Sequence, residues 1–217
     1  AERILELVKL YNSDQTSYYR SSEVEAVIHK ALNYWFTAKP VCLNWWYNQI
    51  GIPKTLGTVF ILFEKQLTPV EKQNAITVME NAKFGMTGQN KVWLAGNVMM
   101  RALLQNDYEL VKMARDTIAS EIVTGGAEGI KDDWCFHQHG AQQQFGNYGL
   151  SFVSGMSFFS GLFSGTSLAF DDKQLSILST LIDKGYRWVI WKGMMDVNAL
   201  GRQLFHHAPV HKALSLA

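Results

Sequence analysis

Ser22-Glu23-Val24-Glu25-Ala26-Val27-Ile28-His29-Lys30-Ala31-Leu32-Asn33-Tyr34-Trp35 is the stretch on which the fold class turns. Ser22 and Glu25 have the spacing of a capping box, with Glu25 placed to reach back to the Ser22 amide. Behind them Val24, Val27, Ile28, Ala31, Leu32 and Trp35 follow the i, i+3, i+4 spacing of one buried helical face. The same grammar recurs outward along the chain. Ile4, Leu5, Val8 and Tyr11 make an opening apolar stripe. Thr68-Pro69-Val70-Glu71 joins an N-cap, a proline at the first helical position and a glutamate three residues on. Asp107 stands before a helix from Tyr108 to Ile122 that ends near Gly125-Gly126, and Asp171 or Asp172 opens another from Leu175 to Trp191. Asn-Gly and Asp-Gly hairpin turns are missing, as are clean runs of period-two alternation. The expectation is an all-α chain of helix, short loop and helix, in which short loops force neighbours into antiparallel pairs.

Composition narrows the function classes. The 217 residues are 47% apolar, ample for one core and marginal for two. Net charge is +1, which disfavours a nucleic-acid binder; a polyanion would have to be held by a local basic groove. No stretch reaches the ~18–20 apolar residues of a membrane span. The most hydrophobic run, Val59 to Phe63, is broken at once by Glu64 and Lys65. Aromatic content is 12%, with 7 Trp and 8 Tyr, which suits either core or a carbohydrate cleft where sugar faces stack on rings. Cys42 and Cys135 lack metal or redox spacing and are expected as two buried free thiols, one bridge being the alternative. Ala1-Glu2-Arg3 opens directly into a helical pattern, without a secretory signal or initiator methionine, so a piece of a longer chain is expected.

Two stretches resist a helical reading. Residues 40–54 carry Pro40 and Pro53 around Asn44-Trp45-Trp46-Tyr47, and residues 125–148 hold several glycines, glutamines and two histidines with little periodicity. Long irregular stretches in a helical domain tend to be functional. With 85–91, they are expected to meet on one rim of the fold. Within the second stretch His137-Gln138-His139 suggests a metal pair, but no third ligand is near, and only His206, His207 or His211 could supply one from a distance. Backbone-bonded loop histidines are the plainer reading. Proton transfer by His139 and Tyr148 is another: a phenol with its ordinary pKa of ~10 needs a cation to favour the phenolate, and Arg202 or Lys91 could provide it. Each residue also has a structural reading. Trp45 and Trp46 could be core, Asn90 a helix N-cap, Arg202 half of a surface ion pair, and Tyr148 a packed ring with its hydroxyl on backbone.

Four segments together carry a resemblance. Asn44-Trp45-Trp46-Tyr47-Asn48-Gln49-Ile50-Gly51-Ile52-Pro53, Thr87-Gly88-Gln89-Asn90-Lys91, Phe136-His137-Gln138-His139-Gly140 through Tyr148-Gly149, and Gly201-Arg202 occur in this order. They resemble the N-W-W-x-x-x-I-G-x-P, T-G-x-N, F-x-Q-H…Y-G and catalytic-arginine segments of the polysaccharide lyases acting on hyaluronate, chondroitin and xanthan, the chondroitin AC branch above all. The resemblance implies an (α/α) toroid, an incomplete barrel of helix pairs, with residues 1–217 part of the helical catalytic domain of a larger bacterial enzyme, secreted or periplasmic. It implies β-elimination on uronic-acid-containing glycosaminoglycans such as chondroitin sulfate and hyaluronan, without metal or cofactor. Asn90, with His139, would meet the substrate carboxylate. Tyr148, or His139, would take the C5 proton, and Arg202 would hold Tyr148 ionised. Asn44, Trp45, Trp46 and His206 would bind substrate. His206 stands four residues after Arg202, where some members carry a second arginine. Members also carry a glutamate and β-sandwich domains beyond this segment, so these 217 residues alone are expected to turn substrate over slowly or not at all. Partners expected are an acidic polysaccharide and the rest of the parent chain, not nucleic acid or membrane. A glycoside hydrolase would need two opposed carboxylates, whereas Asp132, Asp133 and Glu128 share one loop; a non-catalytic carbohydrate-binding module is the remaining alternative.

Overall fold

A computed structural model describes residues 1–216. The chain forms two compact units, one of Ala1–Phe84 with Trp93–Ala114, the other of Gly85–Val92 with the chain from Arg115 onward. Both are built mainly of helices, and the chain is all-α as its periodicity predicts.

The first unit contains α1 (Glu2–Asn12), α2 (Ser22–Ala38), α3 (Ile52–Leu62), α4 (Pro69–Met79), most of α5 (Gly88–Gln105) and the start of α6 (Tyr108–Ala119). The predicted stripes face inward: Ile4, Val8 and Tyr11 of α1 meet Ile28, Leu32 and Phe36 of α2 and Val59 and Phe60 of α3. Each such side chain contributes ~1.5–3 kcal/mol on full burial. The cap of α2 sits one residue earlier than expected. Ser21 accepts from the Val24 amide, and Glu25 reaches across to accept from the Tyr11 hydroxyl instead of turning back. A carboxylate with a phenol donor from a neighbouring helix within reach has no need of the cap.

The box expected at α4 forms. Thr68 Oγ1 accepts from the Glu71 amide at 3.2 Å, and Glu71 Oε2 accepts from the Thr68 amide at 2.9 Å. Glu71 is buried and also pairs with His29 Nδ1 of α2 at 2.8 Å, so one carboxylate caps α4 and pins it to α2. Burial would raise its pKa, but the Thr68 amide, His29 and the Thr68 hydroxyl outweigh burial and hold it below the usual range. A depressed carboxyl contributes stability above its unfolded value of ~4.3, lost as pH falls through the lower folded value. Glu71→Ala is expected to cost about 1–3 kcal/mol near neutrality in urea unfolding. The gap to wild type should close as pH drops below about 4; a pH-independent gap would refute this account.

Residues 40–54 are irregular only to Asn44. Helix begins at Trp45, passes through a π-helical turn at Tyr47–Gly51 and continues as α3. Pro53 has no N–H for a regular i→i−4 bond, and the wider turn before it takes up the ring and the missing donor.

In the second unit α7 (Leu150–Phe163), α8 (Asp172–Thr180), α9 (Arg187–Val189) and α10 (Ala208–Leu214) frame two small hairpins. Asp171 caps α8, but the helix expected through Trp191 passes a π-helical turn at Leu181–Tyr186 and stops at Val189. Here β3 (Ile190–Trp191) pairs antiparallel with β4 (Met194–Met195) around Lys192 and Gly193, at φ 49° and 75°. Two left-handed residues in a two-residue loop form the tight hairpin turn that Asn-Gly usually signals, and Lys-Gly hides it. Likewise β1 (Gly129–Ile130) pairs with β2 (Phe136–His137) inside the stretch without periodicity. Helix α6 ends at Ala119, short of Ile122. Cys42 and Cys135 are free thiols, half-buried rather than buried. Among the described residues no helix is long and apolar enough to cross a membrane.

Candidate active site

The π-helical turn Phe145–Gly149, which leads into α7, sets the geometry of the site in the second unit. Its glycines let other segments lie against it. A Cβ at Gly146 would stand 2.7 Å from Met195 Sδ and 2.9 Å from Leu200 Cα, and one at Gly149 would stand 2.6 Å from the Tyr186 hydroxyl oxygen. Gly201, left-handed at φ 73°, faces Gln144 and Asn147 with as little room. Buried Tyr186 donates to the Phe145 carbonyl at 3.1 Å; burial pushes its phenol well above the ordinary value, so it stays a donor. Buried Lys212 donates to the Leu200 carbonyl at 2.7 Å and fixes the strand of chain that ends in Arg202.

These contacts bring three predicted residues together. The Tyr148 hydroxyl oxygen lies 2.7 Å from Arg202 Nη2, which donates to it, and 3.0 Å from His139 Nε2. The His139 and Tyr148 rings meet edge-on with centroids 5.0 Å apart, and the Arg202 guanidinium lies over the phenol ring, 5.4 Å from its centroid. Tyr148 is buried to 8% exposure, whereas His139 and Arg202 are exposed. The hydroxyl therefore meets the side chains of Arg202 and His139, and Arg202 makes no ion pair among the described residues.

Asn90 is in the first turn of α5, inside the helix rather than at its N-cap. It is 6% exposed, and its Oδ1 has no partner among the described residues. A buried amide end left so costs about 1–3 kcal/mol unless a ligand or water completes it. The turn is anchored twice: the Gly88 amide donates to Glu121 Oε2 at 2.7 Å, and the Gln89 amide donates to Gln138 Oε1 at 2.9 Å. Since Gln138 precedes His139, that bond ties the Asn90 turn to the His139 loop. Lys91, the other candidate cation, is engaged by Glu121 at 2.9 Å. His206 is exposed, its ring 3.7 Å from that of His207. Among the described residues no three His, Cys, Asp or Glu side chains gather as a metal site.

The remaining predicted residues belong to the first unit. Asn44 Oδ1 accepts from the Trp46 amide at 3.0 Å and so starts the helix there. Trp45 is 44% exposed, while Trp46 packs edge-on to Trp93 with centroids 5.5 Å apart, beside Ile50 and Leu94. Of the two indoles, Trp45 is exposed and Trp46 is packed against Trp93. Sequence reading missed Gln138 and Glu121 as anchors of the Asn90 turn. The available signal was Gly88, left-handed at φ 58°, where a Cβ would collide with the Gln138 side chain.

The model of a family described as polysaccharide lyase family 8, N terminal alpha-helical domain, matches residues 1–213. Chondroitinase-AC of Pedobacter heparinus is 30% identical over 201 residues, covering 90% of this chain and 29% of the relative. Hyaluronate lyase HylB of Enterococcus faecalis is 24% identical over 240 residues, covering 97% of this chain and 24% of the relative. A solved chondroitinase AC lyase, studied as enzyme–oligosaccharide complexes, matches with TM-score 0.83 at 30% identity, over 93% of this chain and 31% of that one. With such neighbours the fold class is the (α/α) toroid of helical lyase domains. The chain spans under a third of the length of these relatives.

Proposed function

The chain belongs to polysaccharide lyase family 8, and from this premise we propose that its parent protein cleaves uronic-acid-containing glycosaminoglycans by β-elimination. The observation that carries the reading is the Tyr148 hydroxyl, buried and held between Arg202 Nη2 and His139 Nε2. Chondroitin sulfate and hyaluronan are the substrates proposed, in line with the names of the two relatives.

The reaction begins at the uronate C5–H, α to a carboxylate and poorly acidic while that group is a free anion. Asn90 binds the carboxylate through its side-chain N–H, with help from His139, so that charge developing at C5 spreads into it. Tyr148, as phenolate, takes the C5 proton. The C5–H electron pair becomes the C4–C5 double bond, and the C4–O bond breaks. The leaving glycosidic oxygen receives the proton from Tyr148, which returns the residue to its starting state. Arg202 donates to the phenol oxygen, and a guanidinium donates more strongly to a phenolate than to a phenol. His139 Nε2 is the partner through which the phenol proton can first leave, and it is the second candidate for the base. Trp45 supplies an exposed indole for stacking on sugar. His206, the counterpart of a second arginine, is proposed as a weaker anion contact.

Two further features support elimination over hydrolysis. Hydrolysis needs a pair of free, facing carboxyls. Glu128 is occupied by donors from Thr87, Gln138, His139 and Gly140, and Asp133 accepts from the Cys135 amide at 2.9 Å. The parent is proposed to be secreted or periplasmic, in line with the family to which the chain belongs. Full-length parent mixed with chondroitin sulfate or hyaluronan should give a near-ultraviolet absorbance rise from the unsaturated uronate, and reducing ends without that rise would refute the lyase reading. The 217 residues alone are expected to give little or none.

A further inference from the structure

Glu128 lies in the loop ahead of β1 and is used by none of the steps above, yet it holds two of the site's segments. Its Oε1 accepts from the backbone amides of His139 and Gly140, at 2.6 and 3.2 Å. Its Oε2 accepts from the Thr87 hydroxyl at 2.6 Å and from the Gln138 side-chain amide. His139 and Gly140 are consecutive left-handed residues, at φ 60° and 77°. Successive backbone amides that converge on one point make a nest for an anion, and these two meet on one carboxylate oxygen. A residue with a Cβ seldom adopts the left-handed conformation, and the carboxylate in the nest is what holds His139 in it. Thr87 opens the turn that carries Asn90, so the same group spans from the His139 loop to the Asn90 turn. Gln138 doubles the link, accepting from the Gln89 amide while donating to Glu128.

The geometry points to Glu128 as a positioning residue: its carboxyl group sets His139 against Tyr148 and ties the Asn90 turn to that loop, without touching substrate. This rests on the elimination reading proposed above. Four donors take up the lone-pair directions of the two oxygens, which leaves none for a sugar. Charge and length are both needed. In Glu128→Gln one end of the amide becomes a donor and faces either the two nest amides or the Thr87 and Gln138 donors. Glu128→Asp keeps the charge but is a methylene short of spanning both segments.

The test uses the full-length parent with hyaluronan or chondroitin sulfate, and compares kcat, KM, the pH profile of kcat and thermal midpoint across variants. Glu128→Gln and Glu128→Ala should lower kcat about 10–100-fold, the usual effect of removing a group that orients another, with KM within a few-fold. The pH profile should shift, because the His139–Tyr148 contact is no longer fixed, and Glu128→Asp should recover part of kcat. Thr87→Val removes a single donor and spares the nest; it should fold even if the Glu128 variants do not, and should lose several-fold in kcat. Wild-type kcat and pH profile in every variant that folds would overturn the proposal. A raised KM at unchanged kcat would also overturn it, since that is a substrate contact. Tyr148→Phe in the same assay separates the two claims: turnover there defeats the assignment of Tyr148 as the base, whereas its loss beside unaffected Glu128 and Thr87 variants defeats only the positioning role.

Discussion

Tyr148→Phe in the full-length parent is expected to abolish elimination while leaving substrate binding nearly unchanged. The substitution deletes one oxygen and keeps the ring that meets His139 edge-on and underlies the Arg202 guanidinium. What it removes is the atom that accepts from Arg202 at 2.7 Å and lies 3.0 Å from His139 Nε2. A positioned acid–base group contributes roughly 10²–10⁴-fold, and Tyr148 is proposed to act at both the C5 proton and the leaving oxygen, so the loss belongs at or beyond the upper end. A merely packed tyrosine would lose about 1 kcal/mol of stability and little activity. Steady-state kinetics beside a direct binding assay distinguishes them. Substantial turnover in the variant would transfer the base role to His139.

Asn90→Asp is the second large effect. Asp has nearly the shape of Asn, so the 6% exposed site in the first turn of α5 need not repack. In the proposed mechanism the change sets an anion against the substrate carboxylate in place of an amide whose N–H can donate to it. Removing one donor from an oxyanion site costs about 10²–10³ in kcat, and repulsion should weaken binding as well. An unchanged kcat would show that Asn90 does not meet the developing charge.

Much of this was legible in the chain's grammar. The Thr68-Pro69-Val70-Glu71 start, the stripes of α1 and α2 and the Asp171 cap could be read because they depend on neighbours within one turn. Glu25 escaped because a phenol from α1, distant in sequence, competed for it, and the β3–β4 hairpin escaped because Lys192 adopts a left-handed conformation more typical of asparagine. The site divides the same way. His139, Tyr148 and Arg202 were named from motif order, and their proximity follows from Gly146 and Gly201, which admit the Leu200–Arg202 segment against the Phe145–Gly149 turn. Glu128 could not be read as an anchor, because its four donors come from Thr87 and from residues 138–140, and no local spacing joins those two segments. The tryptophan pair shows the limit of a motif. Trp45 and Trp46 read alike, yet Trp46 spends its ring on Trp93 while Trp45 remains 44% exposed.

The central claim is that bond cleavage at this site is an elimination run through Tyr148, with no water added across the glycosidic bond. Full-length parent digesting hyaluronan or chondroitin sulfate in oxygen-labelled water, with products weighed by mass spectrometry at short times, tests it directly. The account predicts products carrying no solvent oxygen at the newly formed end, each pair lighter by one water than hydrolysis would give. Label incorporated at the cleaved linkage would contradict it.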